Sequence, residues 1–128
     1  MNNEKAPIGS VGWFDLTTNM ADELKGFYEA VVGWESSELS MGSYNDYVMT
    51  SPESKAPVSG VCHARGNNAD LPPQWLMYVY VGDVEASIAA CVQRGGKALA
   101  PIRIMGGQGK YCVIQDPAGA VLALFEQE

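Results

Sequence analysis

The sequence has few cysteines and no long apolar run, and each shortage excludes a class of protein. Its three cysteines, Cys62, Cys91 and Cys112, are odd in number, lie far apart and form no CxxC pair. Neither a disulfide framework nor a structural zinc site is therefore indicated, and a reducing cytoplasm is the expected location. No apolar run approaches the length of a membrane span, and the N-terminus lacks the basic start and apolar core of a signal peptide.

Basic residues are also scarce. Eight lysines and arginines stand against fifteen aspartates and glutamates, which gives a formal net charge of −7. This surplus of negative charge disfavours the phosphates of nucleic acids and anionic membrane surfaces as partners. The expected partner is a neutral or mildly polar small molecule, with no nucleic acid and no membrane.

The 128 residues suffice for a single domain with its own hydrophobic core. Residues 11–17 alternate in polarity as a strand does, and apolar residues at helical spacing follow them. These apolar residues are Met20, Leu24, Phe27, Tyr28 and Val31. Thr18 or Asn19 is expected to cap this helix, which ends at Gly33.

Three further strands are predicted before the middle of the chain. Residues 35–39 and 44–50 form a hairpin, and residues 58–64 form the next strand. Residues 65–73, RGNNADLPP, are the strongest linker candidate, because they are polar and end in two prolines.

The same order of elements recurs after this linker. An aromatic and β-branched strand covers residues 75–81, Asp83 is expected to cap a helix, and a second apolar stripe follows at Val84, Ile88, Cys91 and Val92. The remaining predicted strands cover residues 97–101, 111–115 and 120–125, with a type I turn before the last of them.

The repeat predicts two modules within one domain of residues 1–128. The first βαβββ module covers residues 8–64, residues 65–73 link the modules, and the second module covers residues 74–127. The predicted fold class is therefore α+β, with helices on one face of a sheet and the other face free to curve around a ligand.

Short motifs in both modules resemble those of a known superfamily. They are Phe27-Tyr28, Gly33-Trp34, Gly82-Asp83-Val84, Gly95-Gly96 and Asp116-Pro117-Ala118-Gly119. In this order the sequence resembles the vicinal oxygen chelate superfamily of glyoxalases, bleomycin resistance proteins and extradiol dioxygenases, over nearly the whole chain. WFDL followed by FY and GW is similar to its glyoxalase-like branch of unassigned activity.

The resemblance implies a curved mixed sheet with the helices on its convex face, which is the glyoxalase/bleomycin resistance fold. It also implies a ligand cleft between the modules and a homodimer. Whether such a cleft forms within one chain or by exchange of modules between two chains stays open.

Many members of this superfamily hold a divalent metal at four corners, one from the first and one from the last strand of each module. The corners implied here are Trp13, Leu76, Ala123 and a fourth near Cys62 or His63. If the connection from the first strand to the helix is one residue longer, the first corner is Gly12 or Phe14 instead of Trp13. Indole and aliphatic side chains do not ligate a hard cation. A protein with no metal site and no cofactor is therefore predicted.

If Trp13 faces the cleft, every second residue of its strand shares that side, and Leu76, Tyr78 and Tyr80 do so from the partner strand. The predicted ligand-binding residues are Trp13, Asp15, Tyr47, Cys62, Leu76, Tyr78, Cys112, Ala123 and Phe125. Such a lining is apolar and aromatic with a few polar tips, which is typical of small-molecule sites. The alternative is that these side chains only fill the space between strands.

Candidates for catalysis without a metal are Asp15, Tyr78 and Cys112. Asp15 could be a general base with a raised pKa, or it could accept hydrogen bonds from the start of the following helix. Cys112 also fits as a small core hydrophobe. Cys62 and His63 are adjacent on a strand and therefore point to opposite faces, so they are not expected to act as a nucleophile and base pair.

The predicted function is binding of a small apolar or aromatic molecule in the cleft. One alternative is a metal-independent lyase, isomerase or hydrolase acting on a small metabolite. The other is a resistance-type protein that sequesters a drug or metabolite without turnover.

Overall fold

A computed structural model describes residues 5–128, with Asn67 described by its backbone alone. These residues contain two α-helices and nine β-strands. The chain divides into two compact units. Unit one is Trp13–Trp75, and unit two combines residues 5–12 with Leu76–Glu128.

Unit one contains one helix and the first four strands. They are β1 (Val11–Thr18), of which the first two residues belong to unit two, α1 (Ala21–Val32), β2 (Glu35–Ser40), β3 (Asn45–Thr50) and β4 (Pro57–His63). The strand order is β2-β3-β4-β1, in which β1 and β4 are parallel and the other pairs are antiparallel. A short 3₁₀ turn, Gly66–Asn68, lies within the predicted linker.

One face of this sheet packs against α1. Ala21 of the helix is buried with Tyr47, Met49 and Val61 of the sheet, and Leu24 packs alongside them. This contact buries apolar side chains of α1. Because a helix of this length is marginally stable by itself in water, packing against the sheet is its main source of stability.

The start of α1 differs from the prediction, whereas its end agrees with it. Neither Thr18 nor Asn19 occupies the N-cap position, which belongs to Met20 and has no side-chain hydrogen bond. Thr18 instead accepts a hydrogen bond from the Met20 backbone N–H at 3.1 Å. At the other end Gly33 adopts a left-handed backbone (φ 87°), and its N–H donates to the Glu29 carbonyl.

The predicted apolar stripe of α1 is only partly correct. Leu24 and Tyr28 pack against the core, but Met20, Phe27 and Val31 are exposed. Apolar residues cover more than one side of this helix, so their spacing alone did not decide which side faces the sheet.

Unit two contains the second helix and the remaining strands. They are β5 (Trp75–Tyr80), whose first residue belongs to unit one, α2 (Val84–Gln93), β6 (Lys97–Ala98), β7 (Arg103–Met105), β8 (Gly109–Gln115) and β9 (Val121–Gln127). The strand order is β5-β9-β8-β6, and β7 also pairs with β8. β5 and β9 are parallel, and the other pairs are antiparallel.

The helix α2 covers one face of the strands of unit two. Val84 is fully buried against Cys112, Ile114 and Leu124. Asp83 caps the helix as predicted, because its carboxylate accepts a hydrogen bond from the Ala86 N–H at 3.1 Å.

Two details of unit two differ from the prediction. The strand expected at residues 97–101 is only two residues long, and β7 was not predicted. Both are short edge strands, which carry too few side chains for a pattern of alternating polarity to be recognised.

In each unit, parallel and antiparallel strands pair with one another and a helix covers one face of them, which confirms the predicted α+β class. No helix within residues 5–128 is long and apolar enough to cross a lipid bilayer.

Candidate functional site

In unit two, the sheet face turned away from α2 carries a cluster of four aromatic rings. They belong to Tyr78, Tyr80, Tyr111 and Phe125, all of which are half-buried. Tyr111 lies opposite Phe125 in the antiparallel pair, and Tyr80 lies opposite Phe125 in the parallel pair, so their side chains share one side of the sheet. We call this surface the aromatic face.

The rings of the aromatic face contact one another. Centroid distances are 5.6 Å for Tyr78 and Tyr111, 6.0 Å for Tyr80 and Phe125, and 6.4 Å for Tyr111 and Phe125. The last pair is stacked with an interplanar angle of 7°, whereas Tyr80 meets Phe125 edge to face. Both arrangements are favourable for aromatic rings, and both leave ring surface on which another flat molecule can stack.

An open depression of about 510 Å³ adjoins the aromatic face. Tyr80 and Phe125 contribute its rings, and its other lining residues are Lys5, Gly107, Gln108, Gln127 and Glu128. The Tyr80 ring lies directly over Gly12, where an added Cβ would stand 2.3 Å from ring atoms. Glycine at position 12 is therefore required for the position of this ring.

Leu76 and Ala123, two predicted ligand residues, lie on the same side of the sheet as Tyr78. Ala123 is opposite Tyr78 in the register, and Leu76 is two residues before it on β5. Both are buried, with 1% and 0% of their surface exposed. They therefore supply apolar packing on this side of the sheet and little exposed surface.

Cys112, another predicted ligand residue, lies on the opposite side. It is fully buried in the core beneath α2, and its thiol donates to the Ala100 carbonyl at 3.3 Å. Burial raises the pKa of this thiol, which keeps it protonated and a poor nucleophile. The structure therefore favours the core role over the catalytic role for Cys112.

In unit one, the sheet face turned away from α1 carries a positioned carboxylate. The Trp13 indole N–H donates to the Asp15 carboxylate at 2.6 Å. Asp15 lies opposite Gly60, where an added Cβ would be 2.3 Å from the carboxylate oxygen. Glycine at position 60 thus makes the space that the carboxylate occupies.

Cys62 lies on the same face of unit one as Asp15, and His63 lies on the other. Burial, followed by the negative charge of Asp15, raises the pKa of the Cys62 thiol and keeps it protonated. His63 has one ring nitrogen 3.2 Å from Asp46 and the other 3.4 Å from Asp22 of α1. As the sequence predicts, Cys62 and His63 do not meet.

Tyr47, a further predicted ligand residue, packs beneath α1. Its hydroxyl donates a hydrogen bond to Asp22, and this bond with burial raises the pKa of Tyr47 to about 12. Tyr47 lies opposite Val61, which points to α1, so it does not share the face of Cys62. The structure therefore does not bring Tyr47 together with Trp13 and Asp15.

Tyr111 was absent from the predicted ligand residues. Its neighbour Cys112 was included instead, although adjacent strand residues point to opposite faces and only one of them can share the side of Phe125. Alternation along β8 could have identified Tyr111, but only together with the register between β8 and β9. That register cannot be read from the sequence alone.

The corners implied by the family do not fit a divalent metal. The Trp13 indole N–H is a donor and is bonded to Asp15, whereas Leu76 and Ala123 are buried hydrocarbon side chains. A hard cation requires oxygen or imidazole ligands, which these three corners lack. The side chains of Trp13, Leu76 and Ala123 therefore do not form a site for a divalent cation.

A separate group of carboxylates lies at the start of α2. Asp83, Glu85 and Glu126 bring oxygen atoms within 4.8 Å of one another. Asp83 caps the helix, Glu126 accepts a hydrogen bond from the Val84 N–H at 2.8 Å, and Glu85 pairs with Lys110 at 2.8 Å. Helix capping and an ion pair account for this group.

A family model described as Glyoxalase/Bleomycin resistance protein/Dioxygenase superfamily matches residues 10–124. The chain belongs to this superfamily. The resemblance stated from the sequence motifs is thereby confirmed.

Relatives of this superfamily member include "Putative glyoxylase CFP32" of Mycobacterium tuberculosis, 29% identical over 119 residues, which cover 92% of the chain and 46% of that protein. "Anthracycline biosynthesis protein DauV" of Streptomyces is 27% identical over 118 residues, which cover 92% of the chain and 42% of that protein. The chain thus spans about half the length of these relatives.

Solved structures agree on the fold of this superfamily member. Methylmalonyl-CoA epimerase from Mycobacterium tuberculosis has a TM-score of 0.59 at 13% identity, over 98% of this chain and 94% of the epimerase. Protein BH1468 from Bacillus halodurans has a TM-score of 0.59 at 9% identity, over 94% and 95% of the two chains. At these identities the likeness shows the fold alone, and it confirms the predicted glyoxalase/bleomycin resistance fold.

Proposed function

We propose that this protein binds a small apolar or aromatic molecule on the aromatic face of unit two. The observation that carries the proposal is the group of four half-buried rings beside an open depression. Flat molecules stack on such rings, and the glutamine side chains of the depression offer hydrogen bonds for polar substituents. The cleft between modules stays a prediction from the family resemblance.

The relatives support an aromatic ligand. DauV and a second Streptomyces relative, DnrV, are named for anthracycline biosynthesis, and DnrV is 25% identical over 130 residues. Anthracyclines are built on flat fused rings, which is the shape that the aromatic face would stack against. A fused-ring compound is therefore the appropriate first probe.

Calorimetric titration with 2-naphthol tests this proposal. The Tyr111→Leu variant removes the ring that contacts both Tyr78 and Phe125, and we expect it to weaken binding about tenfold, or roughly 1.4 kcal/mol. Phe27→Leu is the matched control, because it removes an exposed ring from α1 of unit one. Absence of saturable binding, or equal weakening by both variants, would contradict the proposal.

The second candidate function is a metal-independent lyase, isomerase or hydrolase. Asp15 favours it, because a carboxylate held by Trp13 above Gly60 is positioned to accept a proton from a bound molecule. A carbonyl compound with an adjacent C–H bond is the simplest substrate for such a base.

Proton exchange tests this second function. The protein is incubated with 2-tetralone in D₂O, and loss of the proton signals next to the carbonyl is followed by NMR. Catalysed exchange that is lost in Asp15→Asn would support the enzyme; equal exchange with and without protein would remove it. Binding of 2-naphthol without any exchange would favour the sequestration alternative.

Association into dimers and a cytoplasmic location remain expectations of the sequence.

A further inference from the structure

Arg103 places a positively charged side chain on the same side of the sheet as the aromatic face. It lies on β7 directly opposite Tyr111 of β8, and residues opposite each other in an antiparallel pair share one side. The next residue, Ile104, is opposite Lys110, whose ammonium group pairs with Glu85 of α2 on the other side of the sheet. Alternation along β7 therefore agrees that Arg103 is turned away from α2.

The register places Arg103 in one row with three rings of the aromatic face. Tyr80 is opposite Phe125, and Phe125 is opposite Tyr111 on its other side. Tyr111 is in turn opposite Arg103. Neighbouring strands are about 4.8 Å apart, so this row crosses the four strands β5, β9, β8 and β7 over roughly 14 Å. A flat molecule stacked on the rings would thus have a guanidinium group beside one end of it.

The charge of Arg103 has no partner within residues 5–128. Four other basic side chains pair with glutamates or lie over tyrosine rings, and these are Lys55, Lys110, Lys25 and Arg65. Arg103 takes part in no ion pair and lies over no ring among the described residues. It is half-buried, so its charge has lost part of its water without gaining a counter-charge. An anionic group beside it would supply that counter-charge.

The depression beside the rings is close to neutral. Lys5 and Glu128 contribute one charge of each sign to its lining, and its other polar side chains are Gln108 and Gln127. Arg103 therefore adds a positive charge to this surface that the depression does not cancel.

We propose that the ligand of the aromatic face is an aromatic anion and that Arg103 binds its negatively charged group. This inference rests on the proposed binding to the aromatic face and adds the chemical class of the ligand. The guanidinium group stays charged at neutral pH, and its planar fork of N–H donors matches the two oxygens of a carboxylate. An aryl carboxylate is therefore the class of ligand that this row of side chains fits.

The charge of the whole chain makes this single arginine decisive. The net charge of −7 repels anions in general, so an anionic ligand needs a local cation to be preferred over a neutral one. Without Arg103, a negative charge on the ligand should bring no advantage.

Calorimetric titration at neutral pH with 2-naphthoate and 2-naphthamide tests the inference, because the two probes share one ring system and differ in charge. We expect 2-naphthoate to bind the wild-type chain about tenfold more tightly, since hydrogen bonds to a charged group are stronger than those between neutral groups. Arg103→Gln should remove this preference and leave the affinity for 2-naphthamide unchanged, which also shows that the aromatic face is intact. Arg103→Lys keeps the charge without the fork and should show an intermediate preference.

Arg94→Gln is the matched control, because it removes the same charge from an exposed arginine at the end of α2. Equal binding of the two probes to the wild-type chain would overturn this inference and leave the proposed binding of flat molecules intact. A preference for 2-naphthoate that Arg103→Gln keeps, or that Arg94→Gln loses equally, would also overturn it. Failure of 2-naphthol, 2-naphthamide and 2-naphthoate alike to bind would overturn the proposed function itself, and this inference with it.

Discussion

The hydrogen bond from Tyr47 to Asp22 joins β3 to the first turn of α1. This bond, with the nearby His63, lowers the pKa of the Asp22 carboxyl. A carboxyl whose pKa is lower in the folded chain stabilises the fold above its unfolded pKa, and this contribution is lost as the pH falls through the folded pKa.

We therefore expect Tyr47→Phe to lower the urea midpoint of unfolding at pH 7. The difference in midpoint from wild type should shrink as the pH falls below the ordinary pKa of an aspartate. Protonation removes the negative charge of the Asp22 carboxyl, and the hydrogen bond from Tyr47 is then weaker. Tyr44→Phe, on the same hairpin, is the control. A deficit of Tyr47→Phe that stays constant down to acidic pH would contradict this account of the bond.

The Asp15 carboxylate occupies space that would be filled by any side chain at position 60, which is a glycine. An alanine methyl group at position 60 would stand 2.3 Å from the carboxylate oxygen, so the carboxylate and the Trp13 indole bonded to it must move. We expect Gly60→Ala to lower the free energy of unfolding by about 1–3 kcal/mol, the usual cost of forcing extra atoms into a packed region.

A double-mutant cycle with Asp15→Ala checks this explanation. Without the carboxylate the alanine methyl group has room, so Gly60→Ala should cost clearly less in the Asp15→Ala background. Equal costs in both backgrounds would show that some other neighbour of Gly60 is responsible.

At the scale of elements, Gly26 lies inside α1 and Gly33 follows its last residue, and opposite outcomes are expected for these two glycines. Gly26→Ala should raise the free energy of unfolding by roughly 0.5–1 kcal/mol, because alanine restricts the unfolded chain and meets nothing in the folded one. Gly33→Ala should lower it by roughly 1 kcal/mol, because Gly33 has a φ of 87° that alanine adopts only with strain.

Urea unfolding at low micromolar protein concentration measures both changes, and the low concentration keeps association of chains from contributing. Destabilisation by Gly26→Ala in monomers would indicate a contact of Gly26 inside the chain and would contradict its open environment.

The elements themselves were largely predictable from the sequence, because each carries a local signal. Alternating residues identified β1 and β5, and Asp83 and Gly33 marked a helix start and a helix end. The faces were less predictable. Whether Tyr47 or Cys62 turns away from α1 depends on the register between β3 and β4, which is set by packing of the whole sheet.

At the scale of the whole molecule, family and fold were predictable, and the residues that share one face were only partly so. Alternation within β9 puts Ala123 and Phe125 on one side of the sheet, whereas the register between β5 and β9 is needed to add Tyr78 to that side. Tyr111 was not identified, because its place on the aromatic face depends on the register between β8 and β9. The superfamily assignment leaves the ligand undetermined, because folds host many functions and the site decides among them.

The most direct test of the central claim is an NMR titration of ¹⁵N-labelled protein with 2-naphthol, in which each backbone amide reports on its own surroundings. We predict saturable shifts that are largest at Tyr78, Tyr80, Tyr111 and Phe125, with a Kd on the order of 100 µM for so small a probe. Shifts that do not saturate, or that are largest around α1 or Trp13 while the four aromatic residues stay unchanged, would contradict binding on the aromatic face.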